Sequence, residues 1–265
     1  MPARAQTAFT SWRTAALLGA LALACFAAGC RCAPEAERSE TKALAPLRAP
    51  SWLIDLPIEK MGAARVAVPL GAVSARPLVI ALHGDNDRPE WPCGSYHGAS
   101  QRRGFVLCAR GVARSGSDRF TVGSVEESAR ELRAALPALK QRFGAHLAKG
   151  PAVLAAIGPS VEHAIEIARE EPSFFAYLIL VDGSLASLTP ATAVRYGRAG
   201  GRRVLFVCTR AGCDTRVESA ALALRSAGVE TRVERVSNGT GLDEATAALV
   251  RQQWDWLIRG DPRWR

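Results

Sequence analysis

Residues 153–171 (VLAAIGPSVEHAIEIAREE) constrain the chain more than any other stretch. An unbroken apolar run, Val153 to Ile157, leads into Gly158-Pro159-Ser160 and then directly into a helical period. A run with no polar alternation suits a strand buried on both faces, as in a parallel sheet. A serine on a sharp turn between such a strand and a helix is the arrangement of a G-x-S-x-G nucleophile elbow. Here Glu162 stands where the last glycine of that pattern belongs. Two roles are therefore open for Ser160: an activated nucleophile, or the N-cap of the following helix with Glu162 in the first turn against the helix dipole.

The flanking sequence repeats the same alternation. Residues 51–56 and 65–70 read as an opening antiparallel pair, and 77–82 (PLVIAL), 105–109 (FVLCA), 176–181 (AYLILV), 203–208 (RVLFVC) and 230–236 as further strands. Between them, Ser124 and Glu127 form a capping-box signature, followed by Val125, Ala129, Leu132, Leu136, Leu139 and Phe143 at helical spacing, with Gly144 as the stop. Helical patterns also cover 189–198, 216–227 and 243–259, the last with Val250, Trp254, Leu257 and Ile258 on one face. Residues 91–100 read as a loop. Strands alternating with helices predict an α/β fold: a mostly parallel central sheet with helices on both faces, spanning residues 51–265.

What precedes that domain has a different character. Arg4 and Arg13 precede an apolar run over 14–28, which leads into Ala27-Ala28-Gly29-Cys30. This is the layout of a secretory signal, and the run is shorter than the roughly 20 apolar residues a transmembrane helix needs. Ala-Ala-Gly-Cys resembles a bacterial lipobox, which implies cleavage after residue 29 and lipidation of Cys30. Residues 30–50 mix Ala, Pro and charge without an apolar face and read as a tether. The expected location is the cell envelope, with a membrane lipid anchor as one partner. The formal charge is +9, but the basic residues are scattered and form no stripe interleaved with aromatics, so nucleic acid is not an expected partner. In an exported protein, Cys93, Cys108, Cys208 and Cys213 can form disulfides. The local pairs Cys93–Cys108 and Cys208–Cys213, each beside one strand end, are the expected ones. No C-x-x-C or histidine pattern supports a metal, and no cofactor is implied.

Three features in order carry a family resemblance: an apolar strand followed by His83-Gly84, the elbow-like Gly158-Pro159-Ser160, and a strand before Gly212-Cys213-Asp214. Over residues 51–264 the chain resembles the α/β-hydrolases, closest in flavour to their small esterase, dienelactone-hydrolase and peptidase-like branch. The resemblance implies a three-layer α/β-hydrolase fold and a triad in the order Ser, acid, His. Ser160 matches the nucleophile. Asp214 matches the acid, with Asp182 as second choice. The backbone N–H of Val161 and the segment Gly84-Asp85 match the oxyanion hole.

The histidine position, in the loop before the last helix, holds Thr240 after Gly239. The four histidines are His83, His97, His146 and His163, and none follows the acid. Without a base, a serine hydroxyl is a poor nucleophile. His97 is the nearest substitute, and His163 points along the helix. The resulting expectation is a hydrolase relative with impaired catalysis. The alternatives are an active serine hydrolase with an unconventional base, or a non-catalytic module that binds a small molecule or an envelope protein.

Overall fold

A computed structural model describes residues 43–265 except Asn238 and Thr240. The leader, Cys30, Cys32 and position 240 therefore lie outside the described residues. The main sheet has eight strands in the order β1-β2-β4-β3-β7-β8-β9-β10. These are β1 (Leu53–Ile58), β2 (Gly62–Ala67), β3 (Leu78–Leu82), β4 (Phe105–Cys108), β7 (Val153–Ile157), β8 (Tyr177–Val181), β9 (Arg203–Cys208) and β10 (Glu230–Arg235). The first hairpin is antiparallel, β2 meets β4 antiparallel, and every pair from β4 to β10 is parallel. A two-stranded ribbon, β5 (Val112–Ala113) with β6 (Phe120–Thr121), stands apart from it.

Strand periodicity divides the side chains between two cores. Leu78, Ile80 and Leu82 of β3, with Leu154 and Ala156 of β7, face one side. That side is covered by α2 (Val125–Phe143), α3 (Ser160–Glu170), α4 (Pro190–Arg198) and α5 (Cys213–Ser226). Val79 and Ala81, with Val153, Ala155 and Ile157, face the other side. There α1 (Glu90–Ala99) and α6 (Glu244–Leu257) supply Tyr96, Val250 and Trp254, and Trp254 meets Trp264 edge-on at 5.2 Å. This is the expected three-layer arrangement, and β3, β7 and β8 are buried along their whole length.

The capping box at the start of α2 is formed as read. Ser124 Oγ accepts the Glu127 N–H at 3.2 Å, and Glu127 accepts the Ser124 N–H at 2.7 Å. Several boundaries differ from expectation. The opening pair, expected at 51–56 and 65–70, is formed by 53–58 and 62–67. Residues 90–99 are helix, not loop. The Gly212 turn, at φ 72°, starts α5 at Cys213, three residues early. The packed domain also begins before Ser51: Leu47 is buried, and the Leu44 and Leu47 N–H groups donate to the carbonyls of Val73 and Ala72. Residues 43–50 of the expected tether thus belong to the domain. Both cores lie within residues 47–264.

Both disulfides are present, Cys93–Cys108 joining α1 to β4 and Cys208–Cys213 joining β9 to α5.

Candidate functional site

At the carboxyl ends of β3, β7, β9 and β10 the loops enclose a cavity of about 540 Å³. In parallel α/β sheets this is where ligands bind. Asp85, Asp87 and Trp91 line one side, Gly158 and Pro159 the floor, and Arg210, Leu242 and Asp243 the other side.

The floor is the strand–turn–helix. β7 ends at Ile157, Gly158 turns the chain with φ 59°, Pro159 follows, and α3 starts at Ser160. The residue aimed into the cavity from the sharp turn is therefore Gly158, which carries no side chain. An added Cβ there would meet nothing within 4 Å. Ser160 is already in the first helical turn and is fully buried. Its Oγ accepts the Ile157 N–H at 3.0 Å, and its single proton faces the carbonyl oxygens of Ile157 (2.9 Å) and Leu82 (3.2 Å). Instead of the main cavity it lines a small hollow of about 10 Å³ shared with His83, Ser128 and Glu131, a volume at the lower limit for one water. Its side chain joins the ends of β3 and β7 and does not face the solvent-accessible cavity.

The positions expected to form an oxyanion hole are also engaged. The Val161 N–H donates to Gly158 O at 3.2 Å. Pro159, directly after the turn residue, has no N–H to offer. The Gly84 N–H donates to Asp87 Oδ2 at 3.3 Å, placing a carboxylate against a donor that would otherwise be available to a developing anion. Asp85 lines the cavity, about half exposed, with Arg114 Nη1 4.0 Å away.

The acids and bases are dispersed. Asp214, in the first turn of α5, pairs with Arg235 of β10 and does not line the cavity. Asp182, the second choice, sits at φ 52° after β8, accepts the Thr209 N–H at 2.8 Å and bonds its hydroxyl, tying the β8 and β9 ends together. His83 Nδ1 lies 2.6 Å from Gly84 O and Nε2 lies 2.9 Å from Arg110 O. It braces two loops. His97 lies on α1, stacked on Trp52 at 5.3 Å, and borders a different cleft. Burial, and then the nearby Arg102 charge, lower its pKa to about 4. His163 is paired with Ser128 Oγ at 2.9 Å, and burial lowers its pKa too. Glu162 bonds the Ser187 N–H at 2.7 Å and the Ser187 hydroxyl, so it fastens α3 to the loop after β8. Among the described residues no group of His, Cys, Asp and Glu side chains is arranged to hold a metal ion. No helix among them is long and apolar enough to cross a membrane.

Sequence reading missed Gly158 as the turn residue and Trp91 as a lining residue. For Gly158 a signal was available: it directly follows the apolar run that ends at Ile157, two residues before Ser160.

No protein-family model and no curated sequence matches the chain. Solved structures do, at low identity. The protein TT1662 from Thermus thermophilus is 19% identical with a TM-score of 0.55, covering 78% of this chain and 98% of that one. A dienelactone hydrolase from Anabaena variabilis gives 16% and 0.55, covering 81% and 97%. A ferulic acid esterase from Anaeromyces mucronatus gives 10% and 0.55, covering 83% and 96%. Together with the strand order and the two-sided helix layers, these likenesses show that the chain has the α/β-hydrolase fold.

Proposed function

We propose that this protein is a hydrolase-fold binding module with silent catalysis, held in the bacterial envelope by a lipid on Cys30. The observation that carries the reading is the turn Gly158-Pro159: no nucleophile at 158, no N–H at 159, and Ser160 buried in the helix start. The absence of any histidine after Asp214 supports it from the sequence, because an unassisted hydroxyl is a weak nucleophile. The cavity itself remains open. Trp91 offers an apolar wall, Asp85 and Asp87 lie on one side, and Arg210 with Asp243 on the other. That lining suits a small polar ligand carrying both a donor-rich and an anionic group. The two disulfides fit an oxidising compartment, and the lipobox-like Ala27-Ala28-Gly29-Cys30 fits lipid attachment.

The catalytic part is tested by incubating the purified protein with a fluorophosphonate and with short-chain aryl esters. No labelling and no turnover above the buffer rate are expected. Labelling that vanishes in Ser160→Ala would overturn the reading and restore an active serine hydrolase. The anchor is tested separately: Cys30→Ala should move the protein out of the membrane fraction.

A further inference from the structure

A second surface, away from the cavity floor, combines apolar exposure with positive charge. A cleft of about 500 Å³ lies between α1 and the first hairpin, bordered by Trp52, Leu70, His97 and Arg102. A hollow of about 320 Å³ continues it, sharing Leu70 and Arg102 and adding Arg76, Arg103 and Arg265. Trp52, Leu70 and Val73 are each more than two-fifths exposed, and Val73 lies on the same 69–76 loop. Trp52 and Leu70 on one cleft, with Val73 three residues along the loop from Leu70, form an exposed apolar patch, and patches of this kind mark interaction sites.

Three further details indicate that the face is shaped for contact. Gly94 and Gly98 lie one turn apart on α1 and border the cleft. Each lowers helix stability by roughly 1 kcal/mol relative to alanine. Packing within the protein does not require them, since a Cβ at Gly98 would meet nothing within 4 Å and one at Gly94 only Trp52 at 3.8 Å. Their effect is to leave the helix backbone open to the cleft. At the end of α1, Gln101 and Arg102 occupy consecutive left-handed conformations, φ 54° and 59°. Non-glycine residues rarely do so, and such strain tends to persist where a site uses it. The Arg102 guanidinium makes no ion pair or hydrogen bond among the described residues. Of its neighbours, Arg103 is paired with Asp255 at 2.9 Å and Arg76 donates to Arg265 O at 2.9 Å. Asp255 is the acidic group facing this cluster through Arg103.

We propose that this face docks on an anionic lipid bilayer, with Trp52, Leu70 and Val73 at the headgroup level and the arginines on the lipid phosphates. Charge complementarity and the position at which the chain joins the domain select this occupant over a soluble anion. Tryptophan is enriched at bilayer interfaces, and basic residues near an anionic surface each strengthen attachment. The N-terminal segment runs along this same loop, Leu44 N–H to Val73 O at 2.8 Å and Leu47 N–H to Ala72 O at 2.9 Å. With lipid on Cys30, as in the reading above, the span to residue 43 reaches at most about 45 Å when extended. An anchor at Cys30 would therefore hold the domain within about that distance of a bilayer.

The test uses residues 43–265, which contain both cores and lack Cys30, so its result is independent of lipidation and of the cavity. Vesicles of equimolar phosphatidylglycerol and phosphatidylcholine, and vesicles of phosphatidylcholine alone, are sedimented with the protein, with free inorganic phosphate as a competitor. Binding to the anionic vesicles only, falling with added salt and insensitive to millimolar phosphate, is the expected result. Arg102→Glu should weaken it about 25-fold, two charge units at about fivefold each. Leu70→Ser with Val73→Ser should also weaken it, and Arg216→Glu on α5 should leave it unchanged. Circular dichroism checks the fold of each variant. Equal binding to both vesicle types, no binding to either, full competition by phosphate, or equal losses in Arg102→Glu and Arg216→Glu would each overturn the proposal. None of these outcomes bears on whether Ser160 is catalytic or Cys30 lipidated.

Discussion

Replacing Ser160 by alanine separates a structural hydroxyl from a catalytic one. The serine oxygen is the acceptor for the Ile157 N–H, and its proton is shared between two strand-end carbonyls, all in a fully buried setting. Alanine keeps the Cβ and the helix start but leaves the Ile157 N–H without its partner. A buried donor stranded in this way costs about 1–3 kcal/mol. For a domain of this size each kcal/mol moves the Tm by about 2–4 °C, so the midpoint of the variant should fall by about 4–8 °C for a loss near the middle of that range. The measurements are thermal unfolding for the Tm and urea unfolding for the free energy, both followed by circular dichroism, with an unchanged m-value confirming that the same surface is exposed in both proteins. The reasoning fails if Ser160→Ala unfolds within about 0.5 kcal/mol of the parent, the range of a neutral surface change.

Other perturbations probe the surrounding structure. Gly183→Ala would place a Cβ 2.0 Å from the Val161 Cβ and 2.6 Å from Gly158 O. It should destabilise by about 1–3 kcal/mol, the usual range for overpacking, measured by the same unfolding assay. His97 has a folded pKa of about 4, below its unfolded value near 6.5, so the unfolded chain binds more protons between those values. Its contribution to stability is complete above about pH 6.5 and is lost as pH falls to about 4, by roughly 3 kcal/mol at most. His97→Gln should flatten that part of the pH–stability curve, and an unchanged slope would refute the assignment. Reducing Cys93–Cys108, which are 15 residues apart, should lower stability by about 3 kcal/mol on the loop-entropy estimate. Non-reducing peptide mapping should recover both disulfide-linked pairs.

The sheet was readable because burial on both faces leaves an apolar run at each central strand, and β3, β7 and β8 needed no tertiary information. Helix α1 was hidden by its composition: Pro92, Gly94 and Gly98 weaken the helical signal, while its stability comes from packing Cys93, Tyr96 and Ala99 against the sheet. The disulfides were legible because each pair flanks a strand end. The site was less so. A one-dimensional match to G-x-S placed Ser160 at the elbow, whereas the turn is formed by whichever residue follows the last strand residue, and that residue is Gly158. Asp214 has a similar explanation. The helix expected from residue 216 starts at Cys213, after the Gly212 turn, so Asp214 falls in its first turn, where it pairs with Arg235.

On the reading proposed above, this placement changes what would be needed to make a serine hydrolase of the fold. Thr240→His alone supplies a base position but leaves no nucleophile at the turn and no N–H after it. It should produce no fluorophosphonate labelling. Gly158→Ser supplies the hydroxyl where space allows a Cβ, although a side chain at φ 59° adds roughly 1–2 kcal/mol of strain. Replacing Pro159 by glutamine returns the missing N–H, and Asp87→Asn removes the carboxylate held against the Gly84 N–H. Because members of a catalytic set act as a unit and their effects are far from additive, each single change should be silent. Reactivity should emerge only when Gly158→Ser, Pro159→Gln and Thr240→His are combined, with Asp87→Asn increasing it further. Stopped assays with an aryl ester on the single, triple and quadruple variants decide the matter. A rate gained from Thr240→His by itself would mean that Ser160 reaches substrate after all, and the turn-based account of the site would have to be abandoned.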